Sequence, residues 1–122
     1  MNDTRLTAWM ARYVRAWNSN EPADIEALFT DGAVYLTEPY AKPWHGRDAI
    51  VRGWLDSKDE PGQTTFRWEP LAVHDDICFI QGRTEYHVDP PRAYHNLWVI
   101  RLDDEGRCTE FTEWWMKEPL PG

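Results

Sequence analysis

The sequence is short of positive charge, of cysteine and of long apolar runs, and each shortage argues against a class of protein. Lys and Arg number 13 against 21 for Asp and Glu, which gives a net charge of −8 without any basic cluster. Nucleic acid and anionic membrane surfaces are therefore poor partners. No apolar run approaches the roughly 20 residues of a membrane span, and the N-terminus does not resemble a secretion signal.

Residues that form disulfides or bind metals and cofactors are also few. Cys78 and Cys108 form no spaced framework, so we expect both to be reduced thiols of a cytoplasmic protein. The four histidines lack the close or helical spacing of zinc ligands. No glycine-rich phosphate loop, nucleophile elbow or dinucleotide fingerprint occurs. We therefore expect a protein that uses neither a metal nor a cofactor.

Aromatic side chains are what the sequence has in excess. It contains eight tryptophans, and aromatic residues make up 14% of the chain. Large rings fill the core of a small protein, and this explanation suits most of them. Such rings also wall pockets that bind flat or hydrophobic ligands. For any single tryptophan both explanations stay open, with the core favoured.

Three helices are predicted in the first half of the chain. Apolar residues recur at three- and four-residue steps over about residues 4–18, which indicates an amphipathic helix. A short second helix should begin at Pro22 and end where Gly32 adopts the left-handed conformation. Its inner face would consist of Ile25, Leu28 and Phe29. After a strand over residues 33–37, a third helix is expected over residues 47–57.

The second half of the chain has the period-two pattern of antiparallel strands. Four strands are expected, at residues 64–74, 77–88, 94–102 and 107–116. Turn residues at 75–76 and 103–106 join them into two hairpins, and the prolines at residues 89–92 should make the link between the hairpins stiff and extended. Helices followed by an antiparallel meander predict an α+β fold in one domain over residues 1–122.

Two strand segments, residues 97–100 and residues 78–80, are apolar at every position. A sheet with one face in water alternates instead, so both faces are expected to be covered. The helices cover one face, and a second copy of the chain is the economical cover for the other. We therefore predict a homodimer through the outer sheet face.

Four landmarks in this order resemble the nuclear transport factor 2-like superfamily, in particular its SnoaL-like branch. They are the early amphipathic helix, Asp31-Gly32-Ala33-Val34, Gly46-Arg47-Asp48-Ala49-Ile50 and Asp104-Glu105-Gly106-Arg107. The resemblance implies a cone-shaped α+β barrel, in which three N-terminal helices pack in a strongly bent antiparallel sheet around a conical pocket. Members of the family include isomerases, dehydratases, polyketide cyclases, an epoxide hydrolase and non-enzymatic binding proteins, so the fold alone does not give the function.

The local similarity is to ketosteroid isomerase. Residues 10–13 resemble the helix that carries the oxyanion-binding tyrosine of that enzyme, which implies this role for Tyr13. Trp54 falls at the position of a pocket tyrosine on the third helix. Glu38 falls near the position of the proton-shuttling aspartate, although one additional residue in this stretch allows Thr37 to occupy it instead.

The aspartate that completes the oxyanion hole of ketosteroid isomerase aligns with Trp98, which can donate one hydrogen bond through its indole N–H. Because successive side chains of a strand point to opposite faces, a pocket-facing Trp98 places its alternate neighbours in the pocket. These neighbours are Tyr94, Asn96 and Ile100. By the same resemblance, the inward residues of the other strands are Phe111, Glu113, Trp115, Gly82, Thr84 and Tyr86.

Glu113 is unusual among the inward residues because it is an acid between two aromatic residues of the same face, Phe111 and Trp115. Desolvation in such surroundings raises the pKa of a carboxyl group, which suits a general acid or base. The alternatives are a salt bridge to Arg83 or Arg101, a hydrogen bond to a neighbouring threonine, or a shifted register that turns the side chain outward.

These observations predict an acid–base enzyme that acts on a hydrophobic small molecule, of the isomerase, dehydratase, cyclase or epoxide hydrolase type. The alternative is a ligand-binding protein of the same fold without activity. The candidate catalytic residues are Glu113, Glu38 and Tyr13. The candidate substrate-binding residues are Asn96, Trp98, Trp115, Trp54, Tyr86 and His45, the last of which lies beside Trp44 at the expected pocket mouth.

Overall fold

The helices of this chain come early and its long strands come late, as the periodicity predicts. The computed structural model describes residues 4–60 and 62–119, so both predicted domain limits lie outside the described residues. The helices are Thr4–Ser19 (α1), Pro22–Glu26 (α2) and Arg47–Asp56 (α3). The strands are Phe29–Leu36 (β1), Trp44–His45 (β2), Thr64–His74 (β3), Ile77–Tyr86 (β4), Arg92–Leu102 (β5) and Cys108–Lys117 (β6). The first and third helices and the four long strands are confirmed.

All six strands belong to one sheet in the order β2-β1-β6-β5-β4-β3. Neighbouring strands are antiparallel except β1 and β6, which run parallel. The parallel pairing of β1 with β6 departs from the predicted antiparallel sheet. The direction of β6 is set by the antiparallel meander from β3 to β6, because no hairpin joins β6 to β1. The sheet is curved, and it is not a closed barrel because β2 and β3 are its two edges. The predicted α+β class is confirmed.

The second helix is shorter than predicted. α2 ends at Glu26, and Phe29 belongs to β1, where it pairs with Cys108 of β6. The Cys108 N–H donates to the Leu28 carbonyl at 2.7 Å and Phe29 is fully buried, so sheet pairing outweighs continuation of the helix. Gly32 also lies in β1 and does not have a positive φ. The predicted left-handed end of the helix at Gly32 is therefore wrong.

Both predicted hairpin turns are confirmed, whereas the proline link differs from its prediction. Asp75 turns the chain between β3 and β4 with a φ of 54°, and Gly106 turns it between β5 and β6 with a φ of 80°. The link over residues 89–92 bends because β4 and β5 are antiparallel neighbours, with Tyr86 opposite Arg92. Its first proline follows a cis peptide bond. The prediction of an extended link is wrong.

The buried face of α1 fills the concave side of the sheet. Its buried residues are Leu6, Trp9, Met10, Tyr13 and Ala16. The Trp9 ring packs against Phe29 and Phe111 at centroid distances of 6.3 Å. Its indole N–H donates to the Leu28 carbonyl at 3.0 Å. These contacts fix α1 to the start of β1 and to β6, which sets one wall of the cavity described below.

Two glycines let aromatic rings approach the backbone closely. A Cβ atom at Gly53 of α3 would lie 2.3 Å from the Trp44 ring, and one at Gly82 of β4 would lie 2.6 Å from the Phe66 ring. A larger residue at either position would displace the ring, because protein interiors are close-packed. Phe66 in turn stacks on Trp98 at 5.0 Å, so these glycines help to position the rings around the concave face.

The outer face of the sheet keeps apolar side chains exposed. Leu97 of β5 lies opposite Trp114 of β6, and these side chains are 36% and 43% exposed. Leu71 and Met116 are more exposed still. The single chain therefore does not supply the cover that was predicted for this face, and the homodimer stays a prediction.

Membrane spans, metal sites and cysteines were considered for the described residues. No helix among them is long and apolar enough to cross a membrane. No group of three His, Cys, Asp or Glu side chains among them could hold a metal ion. Cys78 and Cys108 are buried and not disulfide-bonded, and burial raises the pKa of Cys108 well above its ordinary value.

Candidate functional site

A cavity of about 320 Å³ lies between α1, α3 and the concave face of the sheet. Its lining comes from both helices, from five strands and from the segment at residues 57–59 that joins α3 to β3. The lining residues are Tyr13, Trp17, Tyr35, Thr37, Trp44, Trp54, Ser57, Lys58, Asp59, Thr84, Tyr86, Tyr94, Asn96, Trp98, Glu113 and Trp115. Aromatic walls with a few polar groups are typical of small-molecule sites.

The cavity accounts for more of the tryptophans than was expected. Five of the eight line it: Trp17, Trp44, Trp54, Trp98 and Trp115. Trp54 and Trp98 also belong to the buried core, and Trp9 lies wholly inside that core. Trp17, Trp44 and Trp68 pack against the core as well, so the expectation that most tryptophans fill the core is confirmed, and the curved sheet lets several of the same rings border the cavity.

Glu113 of β6 is held at the cavity wall by two side chains of β5. Its Oε2 atom accepts hydrogen bonds from Asn96 Nδ2 at 2.5 Å and from Trp98 Nε1 at 3.0 Å. Thr84 of β4 donates to Asn96 Oδ1 at 2.8 Å. Both Asn96 and Thr84 are buried. Side chains of β4 and β5 thus orient the Glu113 carboxylate on the neighbouring strand β6.

The Glu113 pKa lies above its ordinary value. Burial is the main cause, because desolvation disfavours the charged carboxylate. The hydrogen bonds from Trp98 and Asn96 act in the opposite direction by stabilising the charge, and the negative charge of Glu38 raises the pKa further. Glu113 therefore combines a raised pKa with a fixed orientation.

The salt-bridge alternative for Glu113 does not hold. Arg83 pairs with Glu118 at 2.7 Å. Arg101 pairs with Glu110 at 2.9 Å. Neither arginine reaches Glu113, whose side chain faces the cavity as the alternation on β6 predicts.

The second oxygen of Glu113, Oε1, faces open space. It accepts no hydrogen bond from the described residues. Among those residues, no fully buried side-chain oxygen or nitrogen lacks a partner. Oε1 is therefore accessible from the cavity, where it can exchange a proton with a bound molecule.

Two tyrosine hydroxyls form a pair in the same part of the cavity. Tyr13 of α1 and Tyr35 of β1 lie 2.9 Å apart, oxygen to oxygen. Burial, and then neighbouring charge that includes Glu113, raises the pKa of both, so both hydroxyls are neutral. One proton of the pair is used in their mutual hydrogen bond, which leaves the other for a ligand oxygen.

A second carboxylate lines the cavity at a different place. Asp59 Oδ2 accepts hydrogen bonds from Trp17 Nε1 at 3.0 Å and from Tyr86 Oη at 3.4 Å. Burial and the Asp59 charge raise the pKa of Tyr86 to about 12. Lys58 and Ser57 are exposed beside it. We call the group of Glu113, Asn96, Trp98, Tyr13 and Tyr35 the inner end of the cavity. We call the group of Asp59, Trp17, Tyr86 and Lys58 the outer end.

Seven of the nine predicted site residues line the cavity: Glu113, Tyr13, Asn96, Trp98, Trp115, Trp54 and Tyr86. Glu38 and His45 are not among the lining residues, and their roles at the site stay predictions. On β1, Tyr35 faces the cavity, and alternation continues inward through Thr37 and not through Glu38. On β2, Trp44 stacks on Tyr35 at 4.9 Å, and His45 points to solvent.

Sequence reasoning missed Tyr35 and, at the outer end, Asp59, Trp17 and Lys58, whereas Tyr86 was predicted. Tyr35 could have been found, because it is two residues before Thr37 on a predicted strand. Asp59 had no such signal, since it follows a helix in an irregular segment that no periodic pattern describes.

The chain belongs to the SnoaL-like domain family, whose model matches residues 10–111. The predicted family resemblance is thereby confirmed. No protein with a curated description matches the sequence significantly.

Among the solved structures that are similar in fold are two with described proteins. The first is that of SalBIII, an epoxide hydrolase/cyclase-like enzyme with a role in pyran ring formation in the polyether salinomycin; it has a TM-score of 0.71 and 18% identity, over 90% of this chain and 89% of that chain. The second is a ketosteroid isomerase-like protein from Erwinia carotovora atroseptica, with a TM-score of 0.65 and 19% identity, over 93% of this chain and 94% of that chain. At these identities the similarity establishes the fold and leaves the activity open.

Proposed function

We propose that this SnoaL-like protein is an acid–base enzyme that acts on a hydrophobic small molecule, with Glu113 as the proton carrier. One observation carries the proposal: Glu113 presents a single free oxygen to an aromatic cavity while burial raises its pKa. A carboxylate with these properties suits proton transfer near neutral pH. The proposed mechanism uses the chain's own residues, without a metal or cofactor.

The inner end supplies the groups that proton transfer needs. Unprotonated Oε1 of Glu113 would take a proton from a carbon beside a substrate carbonyl, and the electrons of that C–H bond would pass to the carbonyl oxygen. The free O–H of the Tyr13–Tyr35 pair would donate to this oxygen as its negative charge develops. Return of the proton to another carbon gives isomerisation, and its delivery to a departing hydroxyl group gives dehydration.

Asn96 and Trp98 act on Glu113 in this mechanism. Both amide atoms of Asn96 are engaged, one with Glu113 and one with Thr84. The Trp98 N–H is also used by Glu113. Their proposed role is therefore to orient the carboxylate, and not to bind the substrate directly. Glu38 has an electrostatic role, since its charge raises the Glu113 pKa.

A second candidate is a ligand-binding protein without activity. The rings around the cavity favour it, since Tyr35 stacks on Phe111 at 4.2 Å and on Trp44 at 4.9 Å in the manner of a wall for a flat ligand. Both candidates require a hydrophobic ligand. Only the enzyme requires that Glu113 exchange a proton with that ligand.

We further propose that the chain forms a homodimer through the outer sheet face. The support is the exposed pair Leu97 and Trp114, together with Leu71 and Met116 on the same sheet. Light scattering after size exclusion tests this proposal. A dimeric wild type and a monomeric Trp114→Glu variant are expected, and a wild type that is monomeric at high concentration would contradict it.

The enzyme proposal is tested by following hydrogen–deuterium exchange of 2-tetralone by NMR. The wild type should accelerate exchange at the carbons beside the ketone, and Glu113→Gln should lose that acceleration by about 100-fold or more. Glu110→Gln is the matched control, because Glu110 lies on the same strand but faces outward. Equal exchange in wild type and Glu113→Gln would overturn the mechanism. Binding without any accelerated exchange would favour the ligand-binding candidate.

A further inference from the structure

The outer end contains a carboxylate that the proposed reaction does not use. Asp59 lines the cavity and is half-buried, although it lies in an irregular segment. Two neutral donors, the Trp17 indole N–H and the Tyr86 hydroxyl, point at the same oxygen, Oδ2. This pattern fixes the plane of the carboxylate and directs its other oxygen elsewhere.

The segment that carries Asp59 is fixed as well. Asn20 donates from Nδ2 to the Asp59 backbone carbonyl at 3.0 Å, and Trp54 donates from Nε1 to Asn20 Oδ1 at 3.2 Å. The backbone position of Asp59 is thereby tied to the end of α1 and to α3. A group held at both its backbone and its side chain is preorganised for binding.

The free oxygen of Asp59, Oδ1, can accept a hydrogen bond from a ligand. It receives none from the described residues, and none of their cationic groups lies within 4.0 Å of the carboxylate. Because no fully buried polar side-chain atom among the described residues lacks a partner, Oδ1 is accessible to solvent or to a ligand.

The backbone positions of the two ends are about 6–7 Å apart along the elements that carry them. On α1, Trp17 follows Tyr13 by four residues, which is about 6 Å along a helix. On β4, Tyr86 follows Thr84 by two residues, which is about 6.8 Å along a strand. Tyr13 belongs to the inner end and Thr84 is hydrogen-bonded to it, whereas Trp17 and Tyr86 belong to the outer end. A ligand that contacts Glu113 and Asp59 together would carry one polar group for each of them.

We propose that Asp59 is a specificity-determining residue that accepts a hydrogen bond from a hydroxyl group at the outer end of the substrate. This inference rests on the proposed function, in which the inner end receives the reacting carbonyl. The substrate class is then a neutral, ring-bearing ketone with a hydroxyl group on the opposite side of the ring system. Lys58 also belongs to the outer end, and its positive charge in the same lining disfavours a cationic ligand there relative to a neutral donor.

The test compares three probes of the same skeleton: 2-tetralone, 6-hydroxy-2-tetralone and 6-methoxy-2-tetralone. Binding is read from the quenching of tryptophan fluorescence, since five tryptophans line the cavity. The methoxy compound keeps the ring skeleton and the oxygen atom but has no donor. We expect the wild type to bind the hydroxy compound about tenfold more tightly than the methoxy compound, because a hydrogen bond to a charged group is gained.

Asp59→Asn should reduce this preference to about threefold or less, and Glu60→Gln should keep it. Glu60 is the matched control because it is the next residue and does not line the cavity. An equal preference in wild type and Asp59→Asn would overturn the assignment, and so would a failure of all three probes to bind. The two proposals fail in different ways in the wild-type protein. Normal proton exchange without a preference for the hydroxy compound contradicts only the role of Asp59, whereas a preference for the hydroxy compound without proton exchange contradicts only that of Glu113.

Discussion

The inner and outer ends of the cavity each hold a carboxylate, and the two carboxylates accept hydrogen bonds in the same pattern. Oε2 of Glu113 and Oδ2 of Asp59 both accept an indole N–H at 3.0 Å and a second donor. Each carboxylate leaves its other oxygen without a partner among the described residues. The surroundings differ, because Glu113 is packed among rings of the core while Asp59 lies beside the exposed Lys58 and Ser57.

In the proposed function, desolvation by the surrounding core, and not the number of donors, distinguishes Glu113 as a proton carrier from Asp59 as a binding group. The hydrogen bonds of Glu113 lower its pKa, yet the net change is upward because desolvation is the larger effect. The same burial ties the inner end to the stability of the fold. The predictions below test whether the two ends differ in this way.

The largest expected difference is between the stability cost of removing a buried ring that packs on the inner end and that of removing an exposed ring of the same strand. Phe111→Ala removes a fully buried ring that packs against Tyr13, Tyr35 and Trp98, and it should lower the free energy of unfolding by about 3–5 kcal/mol. Trp115→Ala, on the same strand and 43% exposed, should cost about 1 kcal/mol or less. Urea unfolding followed by circular dichroism measures both. Similar losses in the two variants would contradict the comparison.

The inner end was also the part that sequence could predict. Glu113, Asn96 and Trp98 lie on β5 and β6, where the period of two fixes which side chains share a face. The period of two did not show whether Thr37 or Glu38 faces the cavity. That assignment depended on the family resemblance, and this chain has one additional residue in the stretch. The register of β1 against β6, with Leu36 opposite Thr112, decides in favour of Thr37.

Asp59, the carboxylate of the outer end, could not be predicted, for a physical reason. Asp59 lies where no helix or strand imposes a period, and its position depends on hydrogen bonds from Asn20 and Trp17, about 40 residues earlier in the chain. Contacts between such distant positions leave no local pattern. The start of β1 was missed similarly, because Phe29 fits the apolar face of a helix and its pairing with Cys108 is a long-range contact.

The next largest effect on stability is expected for the Tyr13–Tyr35 pair, and a double-mutant cycle can measure it. Tyr13→Phe and Tyr35→Phe each leave the other buried hydroxyl without its partner at 2.9 Å, so each should cost about 1–2 kcal/mol. The double variant removes both hydroxyls and should cost less than the sum of the single losses. Thermal and urea unfolding measure the cycle. Additive losses would show that the two hydroxyls do not depend on each other.

The raised pKa of Glu113 predicts that the difference in stability between the wild type and Glu113→Gln depends on pH. Its pKa is raised above 4.5 in the folded protein, so folding favours the protonated form. Below the unfolded pKa this ionisation has no effect on stability. As pH rises through that value towards the folded pKa, the unfolded chain holds fewer protons than the folded one, and wild-type stability falls.

Glu113→Gln removes that loss, so its free energy of unfolding should rise relative to the wild type as pH rises from about 4.5 through the raised pKa of the folded protein, and then stay level. Urea midpoints at a series of pH values measure the difference. Glu105→Gln, in the exposed turn between β5 and β6, corrects for the removal of one negative charge. A difference that does not change with pH would contradict the raised pKa.

The smallest effect is expected for Tyr86→Phe at the outer end. The Tyr86 hydroxyl lies 3.4 Å from Asp59 Oδ2, which is long for a hydrogen bond, and the Trp17 N–H at 3.0 Å remains in the variant. Stability should change by about 0.5 kcal/mol or less. Preference for the hydroxy over the methoxy tetralone should fall by about twofold, because Asp59 keeps its charge and one donor. Tyr94→Phe is the matched control, since Tyr94 lines the cavity and packs edge-on against Tyr86 without a hydrogen bond to Asp59. A stability loss as large as that of Tyr13→Phe would mean that the outer end is as closely tied to the fold as the inner end, and that burial does not separate them.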